Sequence, residues 1–98
     1  MKKPLVRCYD AGSKFADRYT VFYLIPQYLF GKKFYIYIGM SADPCHPQGI
    51  GQHGEVPGYQ LPRHKYHKGI GKRIDFSELP VDCQTVVNRE LEQIAGEG

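Results

Sequence analysis

The sequence predicts an α+β fold: a small antiparallel sheet of three to four strands, one C-terminal helix packed on one face, and a long Gly/Pro/His-rich loop. Three observations predict it. Residues 18–25 and 33–39 are β-compatible runs near enough in the chain to form a hairpin. The residues after Pro80 carry apolar side chains at helical spacing. Between them, the stretch after Gly39 and up to Arg73 holds six of the chain's eleven glycines, four prolines and all four histidines, which breaks both helix and strand. A length of 98 residues suits a single domain, residues 1–98, with one modest core.

Each element has its own signal. Leu5 to Tyr9 alternates loosely, and Asp10-Ala11-Gly12-Ser13-Lys14 supplies turn chemistry, so a short first strand and a tight loop are expected. Arg18 to Ile25 is dense in β-branched and aromatic residues and is bounded by Asp17 and Pro26. Lys33 to Gly39 alternates cleanly, with Phe34, Ile36 and Ile38 on one face and Tyr35 and Tyr37 on the other. The connection from Gln27 to Lys32 is long for a hairpin and carries Tyr28, Leu29 and Phe30, so it extends the ribbon or packs an apolar tip on a neighbour. Such a tip, or an open strand edge, is also a candidate homodimer contact. Period returns at Lys72 to Phe76, where Ile74 and Phe76 alternate with charges as in a short edge strand. Pro80 suits a first helical position, Asp82 complements the positive end of the helix, and Cys83, Val87, Leu91 and Ile94 form a stripe widened by Val86. Gly96 ends the helix, and the face of Phe34, Ile36 and Ile38 is the surface available to its stripe.

Composition bounds the function classes. A net charge of +3 permits an acidic partner without demanding one. Cys8, Cys45 and Cys83 are odd in number and far apart, which implies neither a disulfide framework nor a four-cysteine zinc site and suits a reducing cytoplasm. After Met-Lys-Lys-Pro, charged Arg7, Asp10 and Lys14 fall where a signal peptide needs an apolar run, and no run approaches the ~20 apolar residues that span a bilayer. A cytoplasmic chain with no membrane partner is the expectation.

The candidate binding residues form two sets. Between Glu55 and Asp75 no acidic residue occurs, while Arg63, Lys65, Lys68, Lys72 and Arg73 are interleaved with His64, His67, Tyr59 and Tyr66. Such a segment can take phosphates in a salt-dependent way. Gly69-Ile70-Gly71 beside Lys72 and Arg73 adds a candidate anion nest. Tyr35 and Tyr37, joined by either Tyr19 and Tyr23 or Thr20 and Phe22, would offer bases a stacking surface near Lys32, Lys33 and Arg18. In the competing arrangement the long loop folds over this face and the tyrosines become a second core.

The second set is the loop site Ser41, Asp43, His46, Gln48 and His53. Cys45 with His46, His53, His64 and His67 has donors for zinc but lacks the two-plus-two spacing of zinc fingers. A Cys45–His nucleophile pair has no orienting carboxylate indicated beyond Asp43. No catalytic residue, metal ligand or cofactor is therefore assigned. A small metal-binding protein or enzyme centred on residues 43–53 is the alternative to a non-enzymatic module that contacts nucleic acid, or a protein that handles it, through residues 41–73. Asp10, Lys14, Asp17 and Arg18 form a charged cluster read as fixing a turn.

The order Tyr9-Asp10-x-Gly12-x-Lys14, Asp17-Arg18-Tyr19-Thr20-Val21, Gly39-Met40-Ser41-x-x-Pro44-x-x-Pro47-Gln48-Gly49, Gly71-Lys72-Arg73-Ile74 and Leu79-Pro80 before a final helix resembles a family of small bacteriophage and prophage proteins. The resemblance covers nearly the whole chain. It implies an origin in a phage or integrated element and a place in the host cytoplasm, and it carries over no catalytic residue, because no activity attaches to the family. The chain departs from the pattern at Ala11 and Ser13, where the turn is usually richer in Asn and Gly. Its segments 27–32 and 59–67 are also longer than usual, so the basic patch belongs to this chain rather than to the shared pattern.

Overall fold

The computed structural model describes residues 5–12, 18–41 and 53–96. They form an antiparallel sheet, two short 3-10 turns and one helix, in the order β1 (Val6–Asp10), β2 (Tyr19–Tyr23), β3 (Gln27–Leu29), β4 (Lys32–Met40), β5 (His53–Pro57), β6 (Tyr66–His67), β7 (Gly71–Ile74) and α1 (Val81–Gly96). The class is α+β with a C-terminal helix, as the patterning predicts. The strand number is a correction: the described residues hold seven strands where three to four were expected. The added ones lie in the segments read as loop, β3 at the hairpin tip and β5 and β6 between Gly39 and Arg73.

β4 is the longest strand and joins three others. Along one edge it pairs first with β3 (Leu29 opposite Lys32) and then with β2 (Phe22 opposite Tyr37). Pro26, in the break between them, has no backbone N–H to continue a ladder. Along its other edge β4 pairs with β5, from Phe34 opposite Pro57 to Ile38 opposite His53. The sheet continues from β2 to β1, β7 and β6. The β3–β4 turn is the two-residue loop Phe30-Gly31 with φ of 52° and 78°, the positive pair of a type I′ hairpin. Phe30 is 95 % exposed at this tip, beside exposed Tyr28 and Leu29.

Register divides the side chains between two faces. Cys8, Tyr19, Val21, Tyr23, Ile38, Met40 and Ile74 meet Leu79, Cys83 and Val87 in a buried core, with Val6, Ile36, Phe76, Val86, Leu91 and Ile94 at its margin. The helical stripe therefore lies on the face that Ile36 and Ile38 predict. Phe34 departs from that expectation: it is half-buried outside this core and lines a hollow with Leu29 and Pro57. Phe76 leaves the expected edge strand as well. The chain turns at Asp75, whose N–H donates to Glu78 Oε2 at 2.7 Å, and enters a 3-10 turn.

The opposite face is covered by residues 58–70. Tyr9 and Phe22 are buried there, and the covering segment contributes buried Pro62. β7 reaches β1 through Gly71, whose φ is +91° and whose added Cβ would stand 2.1 Å from the Asp10 carbonyl oxygen. Only glycine allows this close approach. At the same corner Arg18 Nε donates to Asp10 Oδ1 at 2.9 Å, and the Gly12 N–H donates to that oxygen at 2.8 Å. Asp10 and Arg18 thus close the turn as expected, while Lys14 and Asp17 lie outside the described residues.

Candidate functional site

An aromatic row crosses the sheet on the face away from the helix. Tyr9 on β1 meets Phe22 on β2 edge-on, with ring centroids 6.0 Å apart, and Phe22 meets Tyr37 on β4 at 5.4 Å. The face therefore uses Thr20 and Phe22 from β2, while Tyr19 and Tyr23 belong to the helical core. Tyr37 lies over Gly54 of β5, where an added Cβ would come within 2.4 Å of its ring. Glycine opposite the tyrosine is what lets the ring lie flat on the neighbouring strand. Tyr35, half-buried on the same side of β4, has the Lys33 ammonium 5.8 Å from its ring centre.

The covering segment closes over only part of this row. Arg7 Nη1 donates to the Pro62 carbonyl, and the Tyr9 hydroxyl donates to the His64 carbonyl at 3.1 Å. Burial pushes the Tyr9 phenol up despite Arg7 and Arg73 nearby, so it remains a donor at neutral pH. Arg7 Nε is buried with no hydrogen-bond partner. Over Tyr37 the cover stands off, leaving a cavity of about 530 Å³. Its floor is Phe22 and Tyr37, and its walls include Val56, Pro62, His67 and Ile70. Thr20 and Gln60 also line it. Thr20 is only 8 % exposed. The unexpected members are Val56, Gln60 and Ile70, since nothing local in the sequence places residues from separate segments around one hollow.

The five predicted cations border this face unequally. Arg63 follows Pro62, Lys68 follows His67, and both are exposed. Arg73 stands opposite Tyr9, and its N–H donates to the Lys65 carbonyl at 2.6 Å, so Lys65 and Arg73 share the aromatic side of the sheet by register. Lys72 pairs with Asp10 and Tyr66 and falls on the other side. None of the five forms an ion pair among the described residues. The bend at residues 68–70 uses Gly69 and Gly71 at φ of 95° and 91°, and the Ile70 N–H is taken up by the His67 carbonyl at 3.2 Å. The anion nest expected there has spent that N–H on its own turn.

The loop site is divided as well. Ser41 directly follows β4, and its carbonyl accepts from Cys83 Sγ at 3.4 Å. His53 starts β5 on the helical side, its Nε2 2.6 Å from Glu90 Oε1, and the Tyr23 hydroxyl donates to Glu90 Oε2 at 3.3 Å. Glu90 thus links a buried phenol to a half-exposed imidazole. The apolar stripe alone does not point to it. The signal exists nonetheless: position 90 lies three residues after Val87 on the apolar stripe, and an acid on such a stripe needs a partner. Asp43, Cys45, His46 and Gln48 lie outside the described residues, and among the described residues no three His, Cys, Asp or Glu side chains come together as a metal site. His53 is apart from His67, which lines the cavity on the other face. No helix among the described residues is long and apolar enough to cross a membrane. Comparison with protein-family models, with curated proteins and with solved structures gives no match for this chain.

Proposed function

We propose that this protein is a non-enzymatic binding module that takes nucleic acid on the aromatic face of its sheet. One observation carries the reading: Arg63, Lys65, Lys68 and Arg73 are exposed and lack acidic partners among the described residues, and Arg63 and Lys68 directly follow Pro62 and His67, which line a cavity floored by Phe22 and Tyr37. Cations free of carboxylates are available for phosphates, and an aromatic floor between them suits bases. The motif order from Tyr9 to Pro80 supports a phage or integrated-element origin. In that setting the alternative partner is a host protein that handles nucleic acid.

The test is fluorescence anisotropy with labelled single-stranded and duplex DNA and RNA across a salt series. Changing Arg63, Lys65, Lys68 and Arg73 together to alanine should lower affinity by ten-fold or more and flatten the salt dependence, because each lost phosphate contact removes about 0.7–0.9 from the log–log slope. Lys72→Ala, on the other side of the sheet, should change binding little. Absence of binding to every probe at low salt sinks the reading.

A further inference from the structure

The cavity over Tyr37 has features that general attraction to phosphates does not require. Its floor is two aromatic rings, Phe22 and Tyr37, at 5.4 Å, and its volume of about 530 Å³ lies within the range of small-molecule sites. Most of its wall is apolar, from Val56, Pro62 and Ile70, while three polar groups open into it. Thr20, only 8 % exposed, presents the first of them. The Gln60 amide, exposed at the rim, makes no hydrogen bond among the described residues. His67 Nδ1 is 3.0 Å from the Lys68 carbonyl, to which it donates, so Nε2 of the neutral ring is left as an acceptor. A mostly apolar hollow with a few polar groups in its wall suits a ligand that brings both a flat apolar surface and hydrogen-bonding edges.

The geometry points to a site for one unstacked nucleobase, lying against Tyr37 with its polar edge toward Thr20, Gln60 and His67. Such a base comes either from a single strand, whose neighbouring phosphates reach Arg63 and Lys68, or from a free nucleotide. A duplex keeps its bases stacked and paired, so it can use only the cations. The inference rests on the nucleic-acid reading for the strand as source; the pocket itself can be examined separately.

The experiment titrates uncharged nucleosides, adenosine and thymidine in turn, into isotope-labelled protein and follows amide shifts. Saturable shifts at Tyr37, Gln60 and His67 are expected, together with a preference of at least ten-fold for single-stranded over duplex DNA of equal phosphate number. Ile70→Trp, which fills the hollow from a half-buried turn position, should weaken nucleoside binding by ten-fold or more and erase the single-strand preference. Gln60→Ala, at an exposed position that leaves packing intact, should weaken nucleosides several-fold without changing duplex binding. Nucleoside binding without oligonucleotide binding supports the pocket, identifies a free nucleotide as its ligand and sinks the strand reading. Salt-dependent oligonucleotide binding with no saturable nucleoside shifts, or with shifts indifferent to Ile70→Trp and Gln60→Ala, overturns the pocket and leaves the cationic reading standing.

Discussion

The two faces of one sheet are closed by different means. On the helical face, side chains from β1, β2, β4, β7 and α1 interlock in a buried core. On the aromatic face the cover is irregular chain, held by two side-chain hydrogen bonds to its carbonyls and by the approach of Gly71 to Asp10. Apolar burial stabilises the first broadly, so every core residue contributes. The second depends on a few directional contacts and leaves a cavity. Stability is thus concentrated where the helix packs, and the capacity to accept a ligand is concentrated where it does not.

The contrast can be broken most sharply from the helical side. Ile38→Ala, at a fully buried position, should lower unfolding free energy by about 2–5 kcal/mol in urea denaturation. A loss near zero would mean that the helix does not seal this face. Next is Gly71→Ala, which places a Cβ against the Asp10 carbonyl at a φ unsuited to alanine. Strain alone should cost roughly 1–3 kcal/mol. Amide exchange should rise at Arg73 and its neighbours while residues 83–91 stay protected, and uniform loss of protection would contradict the separation of the faces.

Smaller effects sharpen the picture. Tyr9→Phe removes the donor to the His64 carbonyl and should cost about 1 kcal/mol, read as faster exchange confined to residues 58–70. Asp10→Asn should cost 1 kcal/mol at most, in keeping with a partly exposed ion pair, where about 0–1 is usual. The hydrogen bond from Arg18 holds the Asp10 carboxyl below its ordinary value, with burial opposing and the Gly12 N–H helping. Its contribution is complete above the unfolded value of about 3.9 and lost as pH falls through the lower folded value. The wild-type advantage over Asp10→Asn should therefore vanish in acid; an advantage unchanged down to pH 2 would refute that origin. Least visible is the thiol chemistry. Burial pushes Cys8 up to about 12, so in a Cys45→Ser variant no rapid labelling by a disulfide reagent is expected at pH 8 until denaturant is added.

What the sequence made legible follows from how local each signal is. The Cys83, Val87, Leu91 and Ile94 period and the alternation of Lys33 to Gly39 are complete within one element, and both elements are present. β5 was hidden because His53-Gly54-Glu55-Val56-Pro57 holds one β-former between Gly and Pro. Its strand conformation comes from lying along β4, where Gly54 accommodates Tyr37. β6 was obscured by the glycines at 69 and 71, whose positive φ values make the turn that pairs it with the expected strand β7. At the site, charge density made Arg63, Lys65, Lys68 and Arg73 visible. The division that sends Lys72 to the other side depends on register with β1, which no local pattern encodes. Tyr23, His53 and Glu90 meet across three distant elements, and only the acid on an apolar stripe foreshadowed it.

The pairing of Cys8 with Ile74 sets an order of events during synthesis. β1, β2, β3 and β4 can form their ladders as soon as they emerge, but the partner on the far edge of β1 and the helix that covers the core come only from Gly71 onward. Until then the incipient sheet presents Cys8, Val21, Ile38 and Met40 to solvent with an unpaired strand edge beside them. Non-local closure of this kind slows folding and lengthens exposure of sticky surface. A nascent chain stalled before Ile74 should therefore be a strong client of holding chaperones, and release past Gly96 should free it.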